Sequence, residues 1–347
     1  MKRSVSALLL LFLFCFSGSA LAATKKEIWT FQGKVAFYQQ DEAIGLLHDD
    51  GKRTLVAPVF QEVRPFINGL ANVCSEGLWG VINTRGRWIF RAVSLVPVDF
   101  GPQGEHGRFS PEEGMWGFIN RNGEVVIEPA PYEEVGVMSK GLFTAKQNGL
   151  YGYVDWNGKV AIDFQFQQAH PFSEGLASVE KDGKWGFITP TGEAALPFDY
   201  AEAGSFVGDL APVKLSQEEG VAYIDPKGKV RFQGAWEWGG DFTASKLARV
   251  RLNENYGYIN KSGRLVIAAR YAQAYDFSND YAAVKLAEGR WVYINPKGKI
   301  ISKEYLIAEP YENGFAFVTF KDPDNQKITS GYINASRRFV SKTLEKQ

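Results

Sequence analysis

The sequence predicts an all-β fold, a tandem array of about nine three-stranded antiparallel β-meander repeats. Three observations predict it. An aromatic-glycine signature returns every 34 to 39 residues, the residues around it alternate between two faces, and a glycine turn follows at fixed spacing. A period of that length marks one small supersecondary unit copied head to tail, each copy burying its apolar face on its neighbours.

The signature keeps its full form at Trp79-Gly80, Trp116-Gly117, Tyr151-Gly152, Trp185-Gly186 and Tyr256-Gly257. Ile44-Gly45, Val221-Ala222, Trp291-Val292 and Ser330-Gly331 are worn copies. Trp185 and Phe187 fall on one face and Gly186 and Ile188 on the other, the period of a strand. An aromatic ring buries about 150–250 Å², equivalent to at most about 4–6 kcal/mol. The signature aromatics are therefore expected as core pegs, with the glycine admitting a close neighbour.

A turn comes next, as in Asn83-Thr84-Arg85-Gly86 and Asp225-Pro226-Lys227-Gly228. Asn or Asp first, Pro second and Gly fourth suit a type I turn closed by a left-handed glycine. That glycine lies six residues past the signature's second position in eight copies of nine, and Arg337 replaces it in the last. The following strand is rich in branched residues, as in Val125-Val126-Ile127. A polar crossing then leads into blocks such as Phe172 to Val179, Phe206 to Val213 and Phe277 to Val284, whose ends form the strand that turns into the next signature.

Nine units with no split unit at either end favour an open, curved stack, since rings of blades often divide one blade between the termini and usually hold about four to eight. A closed β-propeller-like ring is the alternative. Residues 91 to 113 are the least regular, with Gly101 to Gly107 reading as an insertion.

The residues Gly183-Lys184-Trp185-Gly186-Phe187-Ile188, with Gly192 and Phe172-Ser173-Glu174-Gly175-Leu176, resemble the WG-repeat family of bacterial proteins. The resemblance covers residues 23–347 as a single β domain. It implies a hairpin-type repeat, often exported, and brings no catalytic residue with it.

Lys2 and Arg3, the apolar stretch Val5 to Phe16 and Ala20-Leu21-Ala22 read as a signal peptide over residues 1–22. The expectation is a periplasmic or secreted protein, with no later membrane span. Removing residues 1–22 takes two basic residues from the 39 and none of the 39 acidic ones, leaving a net charge of about −2. That balance argues against nucleic acid. Cys74 alone remains of two cysteines, so no intramolecular disulfide is expected.

No catalytic residue, cofactor or metal site is predicted. His48, His106 and His170 lie in different units without ligand spacing. The candidate ligand contacts are aromatics that the repeat does not require. Trp156 sits at a turn position held elsewhere by Arg121, Pro190 or Pro226, and Trp236 and Trp238 fall in a crossing. His106 is added as the most loop-like titratable group. Packing between crossings is the alternative for the tryptophans.

The expected function is an exported, non-enzymatic binding or scaffold module for an envelope or extracellular protein or glycan. The alternatives are a glycan hydrolase using loop carboxylates and a structural spacer. Export predicts a protein in the envelope or medium whose N-terminal mass begins at residue 23; untagged protein in the cytoplasm with residues 1 to 22 intact refutes it.

Overall fold

The computed structural model describes residues 27–29, 32–101, 104–321 and 326–342. The expected signal peptide lies outside the described residues. Every described element is a strand, and they form nine antiparallel sheets. Sheets one to nine cover 27–60, 62–94, 106–131, 134–166, 168–200, 202–233, 238–271, 273–294 and 307–342. No described helix is long and apolar enough to cross a membrane.

Seven sheets have four strands rather than the expected three, and only sheets three and eight have three. In six of the seven the extra strand comes from the polar crossing, and in sheet one it is Glu27–Ile28. In sheet five it is Gln168–Ala169, pairing Gln168 with Glu180 and Ala169 with Val179. These short strands point to a common hub, because residues 170, 202–204, 238–241 and 276 of four consecutive sheets line one cavity.

The ring is the arrangement found. Val35–Gln40 of sheet one lies against Phe339–Lys342 of sheet nine, as Ala177–Lys181 of sheet five lies against Val160–Phe166 of sheet four. Ala36, Tyr38 and Leu47, on the sheet-one face equivalent to Ala177, Val179 and Ile188, are all buried. An open stack would leave that face in water. Arg64 and Trp79 of sheet two also share a cavity with Glu309, Phe317 and Tyr332 of sheet nine.

The core lies between sheets, and its peg is not the signature tryptophan. Trp79, Trp116, Tyr151, Trp185 and Tyr256 are half-buried at the edges of the clusters. Two residues on, Phe118, Tyr153, Phe187, Tyr223, Tyr258 and Tyr293 are buried almost completely. Their rings meet the aromatic that opens the next sheet's block: Tyr153 with Phe172 at 4.8 Å, Phe187 with Phe206 at 4.9 Å, Tyr258 with Phe277 at 4.8 Å and Tyr293 with Tyr311 at 5.0 Å. Each buried tyrosine also donates its hydroxyl to a backbone carbonyl of the next sheet. Tyr153 reaches His170, Tyr223 reaches Gly240 and Tyr258 reaches Tyr275, at 2.8, 2.7 and 2.6 Å. Burial without such a partner would cost about 1–3 kcal/mol.

The signature glycine faces a β-bulge. Between Tyr256 and Tyr258 the register with Leu265–Tyr271 shifts, and a Cβ on Gly257 would stand 2.6 Å from the Ile267 carbonyl oxygen. The turn glycine has a different reason. Gly192 has a φ of 85°, and Arg337, in the copy without glycine, keeps the same left-handed turn at 61°.

Phe187→Ala is expected to destabilise by about 3–5 kcal/mol, more than Trp185→Ala. Thermal melting of the two variants checks the order; a larger loss for Trp185→Ala would return the core assignment to the signature.

Candidate functional site

Three of the signature aromatics lie beneath a residue of the crossing. His170, directly after Gln168–Ala169, stacks on Trp185 at 5.1 Å and 34°. Tyr275, after Gln273–Ala274, stacks on Trp291 at 5.3 Å, and Arg64, after Glu62–Val63, lies 5.5 Å over Trp79. In sheet six both partners are missing. The crossing residue is Gly204, after Glu202–Ala203, and the signature is the worn Val221-Ala222. Sheet seven adds Gly239-Gly240 within its longer crossing strand, Trp238–Phe242. The space those side chains would fill is a cavity of about 380 Å³ shared by sheets five to eight.

Trp185 and His170 wall the cavity from sheet five and Trp238 from sheet seven. Its charged lining is Glu202, Lys214, Asp241, Arg249 and Asp276. Lys214 pairs with Glu202 at 3.0 Å. Arg249 pairs through Nε with Asp276 Oδ1 at 3.1 Å, donates to the Ala274 carbonyl, and places its guanidinium 4.7 Å from the Trp238 ring and 5.5 Å from Tyr256. The Asp276 Oδ1 is buried, although the side chain as a whole is 47% exposed.

Asp241 is held differently. Its Oδ1 accepts the Ser205 amide at 2.8 Å, and no cation among the described residues forms an ion pair with it. Burial pushes its carboxyl up to about 6, the Asp276 charge adds to the rise, and only hydrogen bonding from Ser205 opposes it. Asp276 is raised by burial too, against the pull of Arg249. His170, lowered by burial, meets the Ser178 hydroxyl through Nδ1 at 2.8 Å. The site can therefore combine flat aromatic walls with a carboxylate that lacks a counter-ion.

The residues singled out in sequence separate. Trp236 is buried at 8% exposure, edge-on to Tyr223 at 6.2 Å and Phe232 at 6.3 Å, so packing accounts for it. Trp238 is half-buried and lines the cavity above. Trp156 is 60% exposed at its turn and shares a different cavity, of about 190 Å³, with His106, Asp99 and Met138. The irregular stretch also walls a third, of about 370 Å³, with Asn72, Arg108 and Trp116. It is tethered there: the Asn72 side chain donates to the Val98 carbonyl at 2.9 Å and accepts its amide at 2.7 Å, while Arg121 reaches the Gly104 carbonyl at 2.9 Å. Cys74 is buried in its strand, with its thiol pushed up by burial.

Sequence reading missed Asp241, Asp276, Arg249 and Glu202. The signal was the loss of Trp and Gly at Val221-Ala222 beside the pair Gly239-Gly240, a gap in a pattern rather than a motif.

A family model described as "WG containing repeat" matches residues 49–79, 116–151, 151–185, 185–217, 222–256, 256–291 and 291–322, together more than half of the chain. No curated protein matches the chain in sequence. Among solved structures, the chain is similar to a eukaryotic initiation factor at 12% identity and a TM-score of 0.56, covering 90% of this chain and 96% of that one. It is also similar to BamB from Moraxella catarrhalis at 13% identity, covering 75% and 93% with a TM-score of 0.46. Apo AztD from Citrobacter koseri gives 14%, 81%, 92% and 0.44 in the same order. At 12% identity the likeness to the initiation factor is one of fold.

The raised carboxyl of Asp241 fixes a sign. Its folded value exceeds the unfolded value of about 3.9, so the folded state holds the extra proton and stability falls as pH rises from about 4 to about 6. Asp241→Asn is expected to melt higher than the parent at pH 8 and nearly level with it at pH 3.5, as read by calorimetry. A lower melting point at pH 8 would mean the charged form is already compensated.

Proposed function

The chain belongs to the WG-containing repeat family, and from that premise we propose that it is an exported, non-enzymatic binding module whose ligand is an envelope or extracellular glycan. The observation that supports this reading most is the cavity of about 380 Å³ across sheets five to eight, within the usual size of small-ligand sites at about 300–1,000 Å³. Trp185 and Trp238 offer the ring surface that His170 and Arg249 leave uncovered to the apolar side of a sugar ring. Glu202, Lys214 and Asp241 offer hydrogen-bonding groups for its hydroxyls. A ring of nine sheets holds these groups without asking the ligand to order them.

A second reading has an observation of its own. Asp241 and Asp276 line the same cavity and the Asp276 charge raises the cost of ionising Asp241, the arrangement in which one carboxyl can donate a proton while another activates water. Binding is preferred because Asp276 is committed to Arg249 and Asp241 to the Ser205 amide.

A glycan array probed with the mature protein and with Trp238→Ala tests both readings, each variant first matched for melting temperature. Binding predicts retention by the parent, about a tenfold loss in Trp238→Ala, and no chain cleavage. Cleavage products from the parent that disappear in Asp241→Asn would establish the hydrolase instead. Retention of no glycan would overturn the glycan reading and leave a protein partner or a structural spacer.

A further inference from the structure

We propose that the ligand of the sheet five-to-eight cavity is an amino sugar whose nitrogen is unacylated, with Asp241 as the counter-ion of its ammonium group. The proposal rests on the binding reading above and adds the ligand's chemical class.

Each cation facing the cavity has a carboxylate: Lys214 has Glu202 at 3.0 Å and Arg249 has Asp276 at 3.1 Å. Asp241 has hydrogen bonding from Ser205 and, among the described residues, no cation. A carboxylate taken from water without a cation is unfavourable, and truncating or neutralising it is one remedy. A cation brought by the ligand is the other. The Gly204 position sharpens this, because a Cβ there would stand against Asp241 Oδ1 and against the Pro212 ring at 2.7 Å, so any ordinary side chain would cover the carboxylate. Glycine keeps it reachable from the cavity.

Charge also selects against other ligands. Two cations face three carboxylates, so an anion would meet net repulsion. A neutral sugar would leave Asp241 uncompensated. An ammonium gains from the carboxylate and from the parts of the Trp185 and Trp238 faces that His170 and Arg249 leave uncovered. Those same faces accept a pyranose ring, which separates an amino sugar from a bare lysine side chain.

Titration calorimetry of the mature protein with a glucosamine tetramer, the N-acetylglucosamine tetramer and trilysine tests the proposal. The expected order places the glucosamine tetramer about tenfold or more above the acetylated one, with trilysine weaker than both. Asp241→Asn should bring the two tetramers to equal affinity with both still bound, a result that misfolding would not give. Equal affinity for the two tetramers would overturn the amino-sugar inference while the glycan reading stands. Binding of trilysine as tight as the glucosamine tetramer would overturn the sugar. Binding of neither tetramer would overturn both.

Discussion

The contact on which the ring depends is an aromatic ring of one sheet seated on the aromatic that begins the next. From Tyr153 on Phe172 to Tyr293 on Tyr311, centroids lie 4.8 to 5.2 Å apart through five consecutive junctions. Such pairs add about 0.5–1.5 kcal/mol beyond the area they bury. The tyrosines do a second task at no extra burial, since the hydroxyl replaces water at a carbonyl of the following crossing. A sheet in this protein has little interior of its own. Its stability is made at its two faces, and the closed ring leaves neither face unpartnered.

That dependence explains where the cavity lies. The inter-sheet pegs cannot be lost without opening the core, whereas the signature tryptophan and its crossing partner form an outer layer at the hub. Losing that layer in sheet six costs the fold little, because Tyr223 still packs between Phe232 and Phe242 at 4.9 and 5.2 Å. Space appears at the hub, floored by polar groups that other sheets keep covered. The worn copy is thus where the repeat stops serving only itself.

Much of the fold was legible. Period-2 alternation, the turn glycine and the count of nine were all in the sequence, because strand direction and turn geometry are local properties. Two things were not. Which face of Trp185-Gly186-Phe187 meets the next sheet depends on twist and stacking, so the peg was assigned to Trp185 instead of Phe187. The two-residue strand Gln168–Ala169 is too short to show a period. The candidate site was legible only in part: Trp238 was found as an aromatic without a repeat role, but Asp241 and Asp276 look like ordinary crossing acids. Their meaning arises from four sheets converging, at separations that no local window spans.

Nine sheets in a ring make nine junctions, and eight of them are bridged by a covalent crossing. The junction between sheets one and nine is not. Among the described residues no strand is exchanged across it, and side-chain packing around Ala36, Tyr38 and Leu47 joins its faces. The crossings keep its two faces at high effective concentration, so it re-forms readily after opening. It is the junction at which the ring can part without breaking a strand pairing. The cavity across sheets five to eight lies well away from it, on junctions that the chain itself holds shut.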